Sequence, residues 1–170
     1  MDRRSFMLGT AAAALARPAL AEPPPLTWAA LSPLALPDLP EEIGRRLVEK
    51  HLLNANEFWL EVPPPSVSAG EKTFATSDTR FFGVRRYWRG PTWINSAWLV
   101  WLGLLRLGYE AQAEEMAGRI VATVAREGLR EYYNPHTGAG MGATDFGWSS
   151  LVMELLEPDP RAAGSYVALP

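Results

Sequence analysis

Two consecutive helical patterns of opposite character constrain this chain more than any other feature. Ile94 to Leu107 is apolar nearly all round, with Ile94, Ala97, Trp98, Leu99, Val100, Trp101, Leu102, Leu104, Leu105 and Leu107 against the polar Asn95 and Arg106. A helix of that kind is buried on most sides. Its length falls short of the roughly 20 residues needed to cross a bilayer, and Gly108 suits its end. Glu110 to Glu127 then places Ala113, Met116, Ala117, Ile120, Val121 and Val124 on one stripe. It turns Glu110, Glu114, Glu115, Arg119 and Arg126 away, as a surface helix ended by Gly128 does. Thr144 or Asp145 offers a cap for a third helix, Phe146 to Leu156, which Pro158 ends. Strand patterning is almost absent. An inner helix, an outer helix and a further apolar one predict an all-α chain layered like an α/α toroid. Three or four helices cannot close such a ring, and no internal repeat supplies more, so the expectation is an incomplete portion of one.

The start of the chain has a different logic. Met1 to Ala21 reads MDRRSFMLGTAAAALARPALA. Arg3 and Arg4 make a basic start, Phe6 to Ala16 is a short apolar run, and Ala19-Leu20-Ala21 is a small-x-small cleavage site. The Arg3-Arg4-Ser5-Phe6-Met7 order resembles a twin-arginine export signal. Arg17 interrupts the run, which argues against a membrane anchor. Glu22 to Pro37 is Pro-rich and reads as irregular. Asp38-Leu39-Pro40-Glu41 has the form of a helix start, predicting a helix over 39–53 with Ile43, Leu47 and His51 on its stripe. Pro63-Pro64-Pro65 cannot be helical, and residues 66–86 read as an extended surface loop.

Composition narrows the chemistry. The chain has no Cys and only 2 His, which excludes disulfides and thiolate chemistry and leaves little for a His-based metal site. A formal charge of −3 gives nucleic acid or an anionic membrane nothing to recognise. Of the 7 Trp, five lie between Trp88 and Trp148, and clustered Trp often lines a site for flat apolar ligand faces, sugars among them.

Three blocks before the helices carry candidate chemistry. Arg85-Arg86-Tyr87-Trp88-Arg89-Gly90-Pro91-Thr92-Trp93 offers rings to a sugar's apolar face and Arg donors to hydroxyl or carboxylate. A basic-aromatic stretch can also stack nucleotides, which the acidic chain disfavours. Trp88 and Trp93 read as binding residues, and Trp98 and Trp101 as core. Glu131, within Leu129-Arg130-Glu131-Tyr132-Tyr133-Asn134-Pro135, lies between aromatic residues just past a helix end; such a carboxylate can polarise a water or be merely solvated. Asn134-Pro135 is a turn. Gly138-Ala139-Gly140-Met141-Gly142-Ala143 lacks the strand and the Lys-Ser/Thr of a phosphate loop and reads as a flexible loop beside a ligand.

Taken in order, the blocks resemble a family. Phe58-Trp59, Pro65-Ser66-Val67, Tyr87 to Asn95, Gly108-Tyr109, Glu131-Tyr132-Tyr133-Asn134-Pro135-x-Thr137-Gly138 and Gly142-Ala143-x-Asp145-Phe146-Gly147-Trp148 are similar to the C-terminal part of mannosylglycerate hydrolases. Those enzymes belong with the processing α-glucosidases, and trehalases share the plan. The resemblance covers about Leu52 to Leu156. It implies part of an (α/α)6 barrel and inverting hydrolysis of α-glycosides such as mannosylglycerate or glucosylglycerate. It also implies Glu131 as the general base and Tyr87, Trp88 and Trp93, with Arg89, as sugar-binding residues, and no cofactor or metal. The family's general acid is an Asp well upstream, in a half of the barrel for which this chain shows no matching loop; neither Asp78 nor Asp145 is assigned that role, and they are the first residues to replace should the chain alone prove active.

The expected organisation is therefore a signal peptide over 1–21, a Pro-rich segment and N-terminal helix over 22–51, a glycosidase C-terminal barrel portion over 52–157 and a tail over 158–170. The expected partners are a small carbohydrate ligand, an α-glycoside, and a missing N-terminal half; no nucleic acid is expected, and no membrane after signal removal. A truncated glycosidase and a carbohydrate-binding remnant without turnover both fit, as does a degraded product without a stable fold. The export reading predicts a periplasmic protein that begins at Glu22 and whose export fails when Arg3 and Arg4 are both replaced by Lys. Mass spectrometry of the exported fraction checks this, and an intact Met1 there overturns it.

Overall fold

A computed structural model of the chain describes residues 24–76, 80–81, 84–85 and 87–156. The expected signal, Asp78, Pro158 and the tail lie outside them. The described residues form three α-helices, short 3-10 and π-helical turns, and two small antiparallel sheets, so the chain is rich in helix but not all-α. Helix α1 spans Glu41–Leu47, α2 Ile94–Arg106 and α3 Glu110–Glu127. Strands β1 (Arg80–Phe81) and β2 (Val84–Arg85) make one hairpin; β3 (Arg130–Tyr133) and β4 (Gly140–Thr144) make the other.

Helices α2 and α3 fall where their patterns predict, and they pack together as a tight helical hairpin. The buried side of α3 is Ala113, Met116, Ala117, Ile120, Thr123 and Val124. On α2, Ile94, Ala97, Val100, Trp101, Leu102 and Leu104 are buried, while Trp98, Leu99 and Leu105 are partly covered. Gly103 lets the Ser32–Ala35 turn lie directly on α2, since a Cβ there would come 2.9 Å from the carbonyl carbon of Leu34. The Arg106 Nε then donates to the Leu34 carbonyl at 3.0 Å. Leu31, Leu34, Val48, Leu52, Phe58 and Val62 join α2 and α3 in a single core with Tyr133, Val152 and Leu155.

Several expectations change. The first helix starts at Glu41 with Pro40 before it and no side-chain cap, and it passes into a π-helical turn over Val48–Leu52. Its buried residues are Gly44, Val48 and Leu52, not Ile43, Leu47 and His51; Ile43 is 48% exposed. Gly44 packs directly under the end of the Leu107 side chain, which a Cβ at residue 44 would have to displace. The Pro-rich stretch contains 3-10 turns at Trp28–Ala30 and Ser32–Ala35.

Residues 66–68 are not surface loop: Ser66, Val67 and Ser68 are buried. Extended segments there lie side by side through paired bridges, Thr27 with Val67, Pro65 with Thr92, and Thr92 with Tyr133. Strand β3 continues this row into β4. Small residues hide β4 in the sequence: Gly140 to Thr144 has no alternating apolar pattern.

The last segment, Gly147–Leu156, is a 3-10 helix rather than an α-helix. Ser149, Val152 and Leu155 are its buried residues, and a three-residue repeat aligns them on one edge only at 3.0 residues per turn. Neither Thr144 nor Asp145 caps it. Asp145 is exposed at φ 53°, and the Phe146 amide donates to the Leu129 carbonyl at 3.0 Å.

Tyr133 closes the corner between α3 and β3. Its hydroxyl donates to the Gly128 carbonyl at 2.8 Å and accepts from the Arg130 amide at 2.9 Å, with the ring fully buried. Burial raises its pKa above the ordinary tyrosine value, against a smaller lowering by the Arg130 amide. Tyr133→Phe leaves both main-chain groups unpaired and should destabilise the chain by about 1–3 kcal/mol in urea unfolding. Because the folded-state pKa is the higher one, the hydroxyl's contribution is full below about pH 10 and is lost as pH rises through the folded value; the variant should lose stability less steeply there. Gly118, in α3 with open space where a Cβ would stand, gives the opposite case: Gly118→Ala should add about 0.5–1 kcal/mol.

Candidate functional site

The site is assembled on Thr92. Its amide donates to the Tyr133 carbonyl and its carbonyl accepts from the Tyr133 amide, both at 2.9 Å. Its hydroxyl donates to the Val62 carbonyl at 2.5 Å. On its other side the Ser66 amide donates to the Pro91 carbonyl at 3.0 Å, and the Ser66 hydroxyl accepts from the Gly90 amide at 2.9 Å. The Ala75 amide donates to the Arg89 carbonyl at 2.6 Å. The block Tyr87 to Trp93 is thus held by main-chain bonds on both edges, with its side chains directed by that frame.

Those side chains form an aromatic cluster. Trp88 stacks on Trp93 with ring centroids 4.0 Å apart and planes 7° from parallel. Tyr87 meets Trp93 edge-on at 4.8 Å and Tyr132 at 5.4 Å. Trp28 tilts against Trp88 at 6.0 Å, and Trp148 against Trp93 at 6.1 Å. Such pairs contribute roughly 0.5–1.5 kcal/mol each beyond their buried area.

Glu131 enters from β3. The residue is 8% exposed, and a buried carboxylate is tolerable only when its oxygens are hydrogen-bonded. The Tyr87 hydroxyl donates to Oε1, and the Ala143 amide donates to Oε2 at 3.0 Å. The second bond comes from a β-bulge. Arg130 pairs with Thr144 and Tyr132 with Met141, so Gly142 and Ala143 together stand opposite Glu131. Gly142 takes φ 68°, the left-handed value that the first residue of such a bulge needs and glycine meets most easily. The Arg130 Nη2 donates to the Gly142 carbonyl at 3.1 Å.

The structure brings Glu131, Tyr87, Trp88 and Trp93 together, but not in equivalent positions. Trp88 and Tyr87 are partly exposed. Trp93 is only 1% exposed and lies behind Trp88, so it acts as the base of the stack and not as an open face. Its Nε1 is buried without an acceptor among the described residues. The Arg89 side chain is exposed. Trp101 is core as expected; Trp98 is partly covered. Two members of the site have no signal in the sequence: Trp28, whose Pro-rich surroundings give no sign of a contact with Trp88, and the Ala143 amide, which is main chain. Gly142 is visible there only as one glycine in a run that reads as a flexible loop. Among the described residues no group of three or more His, Cys, Asp or Glu could hold a metal ion, and no helix is long and apolar enough to cross a membrane.

The arrangement is a carboxylate fixed at both oxygens beside an aromatic wall. Known proteins are similar to this chain. A mannosylglycerate hydrolase of Thermus thermophilus is 47% identical over 72 residues, covering 42% of this chain and 17% of that protein. One from Rubrobacter radiotolerans is 38% identical over 97 residues, covering 55% of this chain and 22% of its own length. A crystal structure of a GH63 mannosylglycerate hydrolase from another strain of Thermus thermophilus, in complex with glucose, superposes with a TM-score of 0.65 at 30% identity, covering 78% of this chain and 31% of that one. The chain therefore spans about a fifth of these curated relatives and under a third of the structural one. The sequence model of the mannosylglycerate hydrolase MGH1-like glycoside hydrolase domain matches residues 10–149, from within the expected signal to within the final 3-10 helix, and by that match the chain belongs to this family of glycoside hydrolases.

Proposed function

We propose that the chain supplies the water-activating side of an inverting α-glycosidase acting on small α-glycosides such as mannosylglycerate or glucosylglycerate. The observation that carries this reading is the Glu131 carboxylate, nearly buried yet held at both oxygens by Tyr87 and Ala143. In that reaction Glu131 takes a proton from water, the water oxygen bonds to the anomeric carbon, and the glycosidic carbon–oxygen bond breaks. The electron pair of that bond leaves on the departing oxygen, which takes a proton from an acid on the opposite side of the sugar. Inversion requires about 6.5–9.5 Å between the two carboxyl groups to admit the water.

The acid belongs to a part of the barrel beyond this site. Asp145 is exposed just past the end of β4, and Asp78 lies outside the described residues. Trp88 and Tyr87 offer ring faces and edges to the sugar, Trp93 backs them, and the exposed Arg89 offers guanidinium donors to a hydroxyl or carboxylate. Helices α2 and α3 serve as an inner and an outer helix of an (α/α)6 toroid, and the remainder of that toroid is the second partner. Glucose in the complex with the Thermus relative supports a monosaccharide-sized ligand here. The export signal makes the periplasm the place of action.

The test assays the chain on mannosylglycerate, glucosylglycerate and trehalose, alone and mixed with the N-terminal part of a related enzyme. The chain alone should turn over slowly or not at all, because a missing acid costs about 10²–10⁴-fold. In the complemented enzyme, Glu131→Gln should lower kcat by at least that factor and leave ligand affinity within a few fold. Full activity of Glu131→Gln overturns the base assignment. Ligand binding with no turnover in any mixture favours a carbohydrate-binding remnant instead.

A further inference from the structure

Glu131 is held in part by main chain, through a donor that no side chain in the sequence displays. Of its two donors among the described residues, one is a main-chain amide that points at the carboxylate because β4 bulges opposite it. The bulge rests on Gly142, and the local packing leaves no room for any side chain there. A Cβ on Gly142 would sit 2.7 Å from the Glu131 Cβ and 2.7 Å from the Tyr132 Cε1, and closer still to the Glu131 Oε2. Real side chains do not approach so closely, and the φ of 68° adds backbone strain for any other residue. The backbone of β4 is pressed against the carboxylate on one side, and the Tyr87 hydroxyl closes the other.

We propose that Gly142 is a positioning residue for Glu131: by admitting the β4 backbone to van der Waals contact it lets the Ala143 amide and the Tyr87 hydroxyl clamp the carboxylate in one orientation. The inference rests on the reading of Glu131 as the group that faces the sugar. It assigns to a glycine and a tyrosine hydroxyl a role distinct from contact with sugar. A carboxylate fixed in this way presents one oriented negative charge to the anomeric side of a ligand, which a cation in the sugar's place senses more strongly than a neutral sugar does.

The experiment compares binding of isofagomine, a sugar-shaped amine protonated at about pH 6, with binding of glucose, by calorimetry on the full chain. The parent should prefer the cation by about 10- to 100-fold, the span of a charge-assisted hydrogen bond. Glu131→Gln should abolish most of that preference while keeping glucose affinity. Gly142→Ala and Tyr87→Phe should each lower the preference several fold, with glucose affinity within a few fold and melting temperature recorded alongside. Gly118→Ala, remote on α3, should leave it unchanged. A parental preference in Gly142→Ala, with Glu131→Gln having lost it, overturns the positioning role and spares the assignment of Glu131. Should Gly142→Ala fail to fold, Tyr87→Phe decides: an unchanged preference there overturns the clamp. A preference that survives in Glu131→Gln, or is missing from the parent, removes Glu131 from the site and the proposal with it.

Discussion

The reciprocal pair of hydrogen bonds between Thr92 and Tyr133 sets the frame of the candidate site. Thr92 lies within the aromatic block, next to Trp93, and Tyr133 ends the strand that carries Glu131. Their two bonds hold the main chains of those two segments at the spacing of neighbouring strands, about 4.7–4.9 Å. The flanks reinforce the pair. Thr92 also bonds to Val62, Tyr133 also bonds to Gly128 and Arg130, and the bridge from Pro65 completes a row of extended segments. Main-chain bonds of this kind barely depend on side-chain identity, so the frame survives wherever the surrounding core keeps them dry.

Across that frame two opposing effects meet. Removing the Glu131 carboxylate from water is unfavourable by several kcal/mol for an unpaired charge. Stacking Trp88 on Trp93 and surrounding both with Tyr87, Tyr132, Trp28 and Trp148 is favourable. The aromatic cluster creates the low-dielectric wall, and that wall makes the carboxylate's own hydrogen bonds stronger than in water. The cost of burial and the strength of the clamp thus have one origin.

The helices are the most legible part of the sequence. The all-round apolar run of α2 and the single stripe of α3 each have one physical solution, and both form at the residues their patterns mark. Glu131, Tyr87, Trp88 and Trp93 are legible as a set only through resemblance to a family; periodicity alone leaves Glu131 as a solvated charge. What cannot be read is everything made by main chain or by small residues. Strand β4 has no apolar alternation, the Ala143 amide has no side-chain signature, and the bridged row through residues 27, 67, 92 and 133 joins segments far apart in sequence. The stripe on α1 misleads because Gly44 is buried for its lack of a side chain, which an apolar count does not register. Trp93 reads as an open face because a sequence cannot tell which of two stacked rings lies underneath.

The 3-10 form of Gly147–Leu156 has a consequence of reach. At about 2.0 Å per residue this segment extends about 20 Å, whereas an α-helix of the same ten residues extends about 15 Å. The extra span lets one short segment lean on α2 and α3 together, with Val152 and Leu155 in the core and Ser149 tied to the Arg130 carbonyl at the near end. Rewound as an α-helix, the segment would fall about a turn short and rotate Val152 by about 60° relative to Ser149. The stretched winding is therefore a spacer: it sets how far from β3 Leu156 stands, using hydrogen-bond geometry as its ruler.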